Sequence, residues 1–302
     1  MMKWSKYFQN PIFLEMTRKV LLNDDFKPLI VKYCRIKPGM ELLDVGCGTG
    51  CFTRYIAGGA KGLRITGIDN DAAFIRHALE LAEKNGLAGR LEFITGDACA
   101  LPFPEKSFDT VLSHTFFTSA EDPQKAISEM IRVTRPGGTI ASITAMSIVN
   151  QTWHKGYYPP ECAWYNELLK LEIKVSGMYQ SINPLSNYTR GLPSSEIPHF
   201  FAESGLKNVC LYPVGKAFSL SNAALSANDK EEYIKGMYEA EREKLLNFME
   251  LEEVWDYISR EECERYLELL SAKRDFLLVN NGENHIWEWY GGANVLVTGD
   301  YI

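Results

Sequence analysis

Short apolar runs alternate with segments of helical periodicity between about residues 40 and 145. The first run, Leu42, Leu43 and Val45, is almost uninterrupted, which is typical of a strand buried on both faces. Beyond Gly50 the apolar residues recur at helical spacing. Further predicted strands lie at residues 64–68, 91–94, 110–113, 139–144 and 208–214. Repeated strand–helix units of this kind predict a mostly parallel sheet covered by helices.

Glycines occupy alternate positions directly after the first predicted strand: Gly46, Gly48 and Gly50. Glycine tolerates positive φ and has no side chain, so the backbone can turn sharply and a ligand can lie against it. A strand, a glycine turn and a helix form the first half of a βαβ nucleotide site. The next predicted strand ends in Asp69, about 20 residues further on, where a carboxylate can accept both hydroxyls of a ribose.

The loop differs from the dinucleotide pattern G-x-G-x-x-G/A, because Cys51 stands at the third small position. Asp44, just before the glycines, would repel a pyrophosphate but would hold an ammonium group, directly or through water. A ligand with a ribose, a positive charge and no phosphate therefore fits better than NAD. S-adenosylmethionine is such a ligand.

Further motifs follow in order: GIDND at 67–71, ITGDACALPFPEKSFDTVLS at 94–113 and RPGG at 135–138. Together with ELLDVGCGTG at 41–50, they resemble the class I S-adenosylmethionine-dependent methyltransferases, in the methyltransferase type 11 branch that includes the quinone-biosynthesis enzymes. The resemblance implies an α/β, Rossmann-like fold. Its sheet would be mostly parallel and seven-stranded, with an antiparallel last strand and helical cap insertions.

The resemblance also implies a cofactor site for S-adenosylmethionine. Its Asp97 would accept the adenine amino group, and the next backbone N–H would meet the ring. The residues expected to bind the cofactor are Asp44, Gly46, Cys47, Gly48, Gly50, Asp69, Asn70, Asp97, Ala98 and Ser113.

His114 is the candidate catalytic residue. It follows the fourth predicted strand, at the carboxyl end where open α/β sheets bind ligands. Imidazole titrates near neutral pH, so His114 is a candidate base for the methyl acceptor. The alternative is that this histidine only shapes the pocket wall.

Two segments interrupt the alternation of strands and helices, one rich in aromatic residues and one helical and densely charged. They predict insertions after strands five and six that form a cap. The predicted division is a helical cover over 1–36, a cofactor-binding core over 37–145, an aromatic-rich lid over 146–190, further core over 191–225, a helical insertion over 226–280 and the last core strand within 281–302.

Composition narrows the possible partners. A net charge of −7 argues against nucleic acid, since phosphate binding calls for clustered Lys and Arg. No apolar run approaches the roughly 20 residues of a membrane-spanning helix, so no stable membrane insertion is expected. The seven cysteines are scattered, without a CxxC pair, and indicate a reducing cytoplasmic location. The five histidines show no metal-ligand spacing, so no metal is predicted.

The sequence therefore predicts methyl transfer from S-adenosylmethionine to a small-molecule acceptor that the motifs do not name. Three alternatives stay open. A nicotinamide-dependent oxidoreductase is opposed by Asp44 and Cys51. Another reaction on the same fold, such as aminopropyl transfer, is the second alternative. The third is a non-catalytic cofactor-binding module whose helical insertions hold a partner protein.

Overall fold

The computed structural model describes residues 4–7, 9–145, 155–158, 160–182, 192–220, 226–280, 287–292 and 294–302. The chain divides into two compact units. The larger unit comprises residues 17–151, 188–216 and 291–302, and the smaller comprises 1–16, 152–187 and 217–290. None of the helices in these described ranges is both long and apolar enough to cross a membrane.

The strands, in chain order, are β1 (Glu41–Val45), β2 (Arg64–Asp69), β3 (Leu91–Thr95), β4 (Phe108–His114), β5 (Thr134–Ala145), β6 (Lys155–Tyr157), β7 (Lys207–Pro213), β8 (Lys216–Ser219), β9 (Trp287–Gly292) and β10 (Asn294–Asp300). The α-helices are α1 (Trp4–Tyr7), α2 (Pro11–Leu21), α3 (Lys27–Tyr33), α4 (Cys51–Ala57), α5 (Ala72–Lys84), α6 (Pro123–Val133), α7 (Trp164–Ile182), α8 (Ile197–Glu203), α9 (Ala227–Phe248) and α10 (Arg260–Asn280).

The larger unit is built on a seven-stranded sheet with the order β3-β2-β1-β4-β5-β10-β7. Strands β1 to β5 pair in parallel, whereas β10 is antiparallel to both β5 and β7. The predicted fold is thus confirmed, including the antiparallel last strand. A small sheet of order β6-β9-β8 was not predicted.

The strand register fixes which side chains share a face of the large sheet. Asp44 pairs with Leu112, and Leu112 pairs with Ala141, so these residues point to one face. His114 lies two residues beyond Leu112 and points the same way, because side chains alternate along a strand. Val45 pairs with Ser113 and both point to the opposite face. Each face carries its own buried apolar cluster.

Strand β5 begins earlier than the sequence predicts. The Pro and paired Gly of the RPGG motif predict a turn before the strand at 139–144, yet β5 starts at Thr134. The pairing of β4 with β5 shifts register between the pairs Phe108–Thr134 and Thr110–Thr139. The RPGG motif therefore lies in an irregular part of β5. Gly137 has φ +80°, which an irregularity of this kind readily takes up.

The smaller unit contains the helices α7, α9 and α10 around a buried apolar cluster that includes Leu168, Leu245 and Phe248. Its helix starts test two predictions from the sequence, a capping box at Asp229 with Glu232 and another at Ser259 with Glu262. Helix α10 begins with the predicted capping box, in which Ser259 and Glu262 exchange backbone-to-side-chain hydrogen bonds of 3.0 and 3.2 Å. The predicted N-cap at Asp229 is wrong, because Ser226 caps α9 by accepting the Asp229 N–H.

The predicted domain boundaries, including the lid over 146–190, stay predictions. Much of that segment, residues 146–154, 159 and 183–190, lies outside the described residues, as do residues 1–3 and 8 of the predicted N-terminal cover.

Candidate active site

The glycine turn after β1 is held against β2. Gly46, Gly48 and Gly50 have φ of +69°, +54° and +72°, a region that side chains rarely adopt. The backbone N–H groups of Gly46 and Cys47 donate to the Ile68 carbonyl at 2.8 and 3.0 Å. The turn therefore lies at the carboxyl edge of the sheet, as the sequence predicts.

Asp69, at the end of β2, lies against the glycine turn, and together they form a corner at the carboxyl end of the sheet. Its Oδ2 accepts the Gly48 N–H at 2.9 Å, and its Oδ1 accepts the Asp71 N–H at 2.9 Å. Burial raises the pKa of Asp69 to about 6, although these backbone hydrogen bonds act in the opposite direction. The predicted ribose-binding carboxylate is thus placed directly beside the glycine turn.

Asp44 is completely buried next to that corner. The Thr53 hydroxyl, one turn into α4, donates to Asp44 Oδ2 at 2.6 Å. Oδ1 has no hydrogen-bond partner within the described part of the chain. Burial raises the pKa of Asp44 to about 7, and the charge of Asp69 adds to that rise. A carboxylate oxygen without a partner beside the turn fits a ligand that carries a positive charge.

The other polar candidates follow β2 and β3 at the same edge. Asn70 is exposed, and so is Asp97, whose Oδ1 accepts the Cys99 N–H at 2.8 Å in a tight turn. Ala98 is half-buried against the core. The Gly96 N–H donates to the Asp69 carbonyl at 3.0 Å, which ties the β3 loop to the end of β2.

Two further predicted cofactor residues have buried side chains. The Cys47 thiol is buried in the core beside Gly67 and the Gly48 carbonyl, and burial raises its pKa. Its contact with the cofactor stays a prediction. Ser113 is buried on the opposite face of β4 from Asp44, with no partner for its Oγ among the residues described.

His114 is buried at the end of β4, with its ring centroid 5.3 Å from that of Phe52. Burial lowers the pKa of His114 to about 3, and the positive charge of Arg18 contributes to the decrease. The expectation of an imidazole that titrates near neutral pH is therefore wrong. The imidazole is neutral at pH 7, and its role as a base stays a prediction.

A small pocket adjoins His114 on this face of the sheet. Its walls are mostly apolar, with Asn294 at the start of β10 as a further polar side chain. The lining residues are Leu22, Asn23, Phe26, Ile30, Tyr55, His114, Ile143, Val214 and Asn294. The Tyr55 hydroxyl donates to the Asn23 carbonyl at 2.6 Å, so it is already engaged in the wall.

The backbone beside the pocket is strained at Thr115, which has φ +53°. Its N–H donates to the Ile143 carbonyl at 2.7 Å, and its hydroxyl accepts a hydrogen bond from Arg18 at 2.9 Å. The next residue, Phe116, packs on Gly46, where an added Cβ would lie 2.5 Å from the ring. Arg18 and Thr115 thus fix the chain that leads from His114 to the glycine turn.

Sequence reasoning missed Thr53, Arg18 and Asn294. The hydroxyl of Thr53 lies on the first turn of the helix after the glycines, and that position was a usable signal. Arg18 and Asn294 are far from the motifs in sequence, and only the tertiary fold brings them to this edge.

A family model described as a methyltransferase domain matches residues 43–142. Residues 43–142 are a methyltransferase domain. The match covers β1 through most of β5, including the glycine turn, Asp69, Asp97 and His114. The predicted resemblance to class I S-adenosylmethionine-dependent methyltransferases is confirmed.

Relatives of the methyltransferase domain include a sterol 24-C-methyltransferase of Gibberella zeae, 43% identical over 103 residues. That alignment covers 34% of this chain and 27% of the relative. A demethylmenaquinone methyltransferase of Desulfitobacterium hafniense is 29% identical over 189 residues, which is 61% of this chain and 73% of the relative. The matched segment spans only 27% to 32% of the length of the first relatives.

Solved structures share the fold of the methyltransferase domain. A phosphoethanolamine N-methyltransferase 2 of Haemonchus contortus, in complex with S-adenosyl-L-methionine, superposes with a TM-score of 0.52. The identity is 18%, and the superposition covers 98% of this chain and 59% of that protein.

Proposed function

We propose that this chain transfers a methyl group from S-adenosylmethionine to an apolar small molecule. The observation that carries the proposal is the corner formed by the glycine turn, Asp69 and Asp44. There the Gly48 N–H is bonded to Asp69, and a buried Asp44 oxygen has no partner among the described residues. A ribose and a positively charged group are the chemistry that these carboxylates suit.

The residues present fit the cofactor. Asp69 would accept the ribose hydroxyls, and Asp44 would face the ammonium group directly or through water. Asp97 and the Ala98 N–H would meet the adenine, while Asn70 and the loop of Gly46 to Gly50 would supply backbone contacts. Ser113 would contribute through its backbone, because its side chain lies on the other face. When bound, S-adenosylmethionine supplies an electrophilic methyl carbon on a sulfonium.

The chain's own contribution to the rate is alignment. A rigid site that holds a nucleophile in line with the methyl carbon can lower the barrier by roughly 7–11 kcal/mol. His114 is neutral at pH 7, so it can accept a hydrogen bond or a proton without first losing one. A free-state pKa of about 3 makes it a weak base, and we therefore propose alignment as the main catalytic principle.

The residues beside His114 at the carboxyl end of the sheet support an apolar acceptor. Leu22, Phe26, Ile30, Ile143 and Val214 surround a void there that is about the size of one water molecule, so they indicate an apolar environment but not the shape of the acceptor. The matched relatives are named for a sterol and for demethylmenaquinone, both apolar molecules. An apolar acceptor without a nucleic acid component also agrees with the net charge of −7.

Nicotinamide-dependent oxidation is the weaker candidate. A pyrophosphate at the glycine turn would meet the carboxylates of Asp44 and Asp69, which the structure places at one corner. Repulsion between these like charges would oppose binding.

We also propose a reducing cytoplasmic location, supported by seven free cysteines.

A transfer assay tests the proposed function. The full chain would be incubated with methyl-labelled S-adenosylmethionine and either a reduced demethylmenaquinone or a sterol, and the label in the organic extract would be measured. Asp69→Ala, assayed at a subsaturating cofactor concentration, is the matched variant with weakened cofactor binding. Label transfer by the wild type above that variant supports the proposal. Binding of S-adenosylhomocysteine with no transfer to either acceptor would favour a non-catalytic module.

A further inference from the structure

Thr115 has a backbone conformation that threonine seldom takes. Its φ is +53°, in the left-handed region, and a β-branched residue there is an outlier. Strained residues of this kind persist only where the surrounding structure holds them, and they concentrate at functional sites. Thr115 follows β4 at the carboxyl end of the sheet, and the residue after it packs on the glycine turn. The strain therefore lies beside the proposed cofactor site.

Two hydrogen bonds hold Thr115 in this conformation. Its N–H donates to the Ile143 carbonyl on β5 at 2.7 Å, and its hydroxyl accepts from Arg18 Nη2 at 2.9 Å. The first bond uses only the backbone, so any residue except proline could make it. The second needs a hydroxyl at position 115 and a long cationic side chain at position 18, and a charged donor makes such a bond stronger. All three residues belong to the larger unit.

The backbone conformation of Thr115 directs the side chain of Phe116. A Cβ added at Gly46 would lie 2.5 Å from the Phe116 ring, so the ring packs directly on the first glycine of the turn. The same ring contacts Phe117, with centroids 5.2 Å apart. Gly46 and Phe116 are both half-buried, so their contact lies at the surface of the corner. Phe116 thus links Thr115 to the glycine turn.

We propose that Arg18 is a positioning residue for the cofactor. Through its hydrogen bond to Thr115, it keeps Phe116 against Gly46 and holds the glycine turn in the form that receives S-adenosylmethionine. The inference rests on the proposed function, because it takes this turn to be the cofactor site. When only a fraction of the molecules is in the receptive form, the apparent dissociation constant is the intrinsic constant divided by that fraction. Arg18 therefore raises affinity without a contact of its own to the ligand.

The test is calorimetric titration of the full chain with S-adenosylhomocysteine. Thr115→Val keeps the branched shape and removes the acceptor, so affinity should fall about tenfold, within the range of a hydrogen bond to a charged group. Thr115→Ser keeps the hydroxyl and should bind within about twofold of the wild type. Arg90→Met is the matched control. It removes an arginine that donates to the Ala57 carbonyl at 2.7 Å just before β3, at the amino end of the sheet, and it should keep the wild-type affinity.

Double variants show whether the effect passes through these contacts. Arg18→Met should lose about tenfold in affinity, and the variant that also carries Thr115→Val should lose no more than either substitution alone. When Phe116 is already replaced by alanine, Thr115→Val should change the affinity by less than about twofold. If Arg18→Met does not fold, the Thr115 variants with and without Phe116→Ala decide the outcome.

Thermal unfolding of the same variants separates positioning from support of the fold. A lower melting temperature of Thr115→Val with wild-type affinity would mean that the pair only stabilises the chain, and it would overturn the inference. Losses of affinity that simply add in the variant with both Arg18→Met and Thr115→Val would overturn it as well. The wild-type titration reports on the proposed function. A wild type that does not bind S-adenosylhomocysteine contradicts the function and this inference together, whereas normal binding that Thr115→Val leaves unchanged contradicts the inference alone.

Discussion

The Gly48 backbone N–H donates to Asp69 Oδ2 at 2.9 Å, across the corner between β1 and β2. A residue with a bulky side chain at position 48 would not readily take its φ of +54°, so the glycine makes this contact possible. The carboxylate is thereby oriented before any ligand arrives. Such preorganisation reduces the free energy that ordering would cost on binding.

Replacing Asp69 with alanine should weaken binding of S-adenosylhomocysteine. Hydrogen bonds to a charged group contribute about 1.5–3 kcal/mol each, so the net loss of one of the two ribose bonds should lower affinity by roughly tenfold to a hundredfold. Calorimetric titration measures the change. Asp122→Ala is the control: it removes the N-cap of α6, which should cost about 1 kcal/mol of stability while leaving affinity intact. Unchanged affinity in Asp69→Ala would remove this carboxylate from the cofactor site.

Affinity for S-adenosylhomocysteine should depend on pH through Asp44. Its pKa is about 7 in the free protein, and a bound ammonium group favours the charged carboxylate. Affinity should therefore rise about twentyfold between pH 6 and pH 8, about tenfold from deprotonation of Asp44 and about twofold from Asp69, whose pKa is about 6. In Asp44→Asn only the roughly twofold rise from Asp69 should remain. A tenfold rise that survives in Asp44→Asn would contradict this assignment.

His114 should make the fold sensitive to acid. Its pKa is lowered to about 3 in the folded protein, so below pH 6.5 the unfolded chain binds a proton that the folded chain does not. Stability from this group is full above pH 6.5 and is lost as the pH falls toward 3. Between pH 7 and pH 5 the wild type should lose about 2 kcal/mol more stability than His114→Gln.

Urea unfolding at pH 7 and pH 5 measures that difference. His199→Gln, on the exposed surface of α8, is the control and should follow the wild type. If His114→Gln and the wild type lose equal stability, the histidine is not held neutral by burial.

Two glycine substitutions separate backbone strain from crowding at the turn. Gly86 has φ +67°, and no heavy atom lies within 4 Å of a Cβ added there, so Gly86→Ala should lower the free energy of unfolding by about 1–2 kcal/mol. Gly46 has φ +69°, and a Cβ added there would lie 2.5 Å from the Phe116 ring. Gly46→Ala should therefore lower the free energy of unfolding by more. It should also weaken S-adenosylhomocysteine binding, whereas Gly86→Ala should not. Urea unfolding and calorimetry report the two effects, and equal losses in both variants would contradict the crowding at Gly46.

The cofactor corner could be predicted from the sequence because its determinants are local. The apolar run of β1, the positive-φ glycines and the acid that ends β2 each impose their own geometry. Register then follows from parallel pairing, Asp44 with Gly67 and Val45 with Ile68. The capping box of Ser259 and Glu262 is local in the same sense and was predicted correctly.

The surroundings of His114 could not be predicted in this way, because tertiary packing sets them. The lowered pKa of His114 depends on burial and on Arg18, which is 96 positions earlier in the chain. The position of Asn294 depends on the antiparallel entry of β10 and on its register with β5. Strand β5 starts early because its pairing with β4 is irregular, whereas the RPGG motif is typical of a turn and predicts a later start.

Calorimetric titration of the full chain with S-adenosylhomocysteine and, separately, with NAD tests the central claim most directly. The corner of Asp44, Gly48 and Asp69 predicts saturable binding of S-adenosylhomocysteine at one site per chain and no comparable binding of NAD. Tight NAD binding together with no response to S-adenosylhomocysteine would contradict the account.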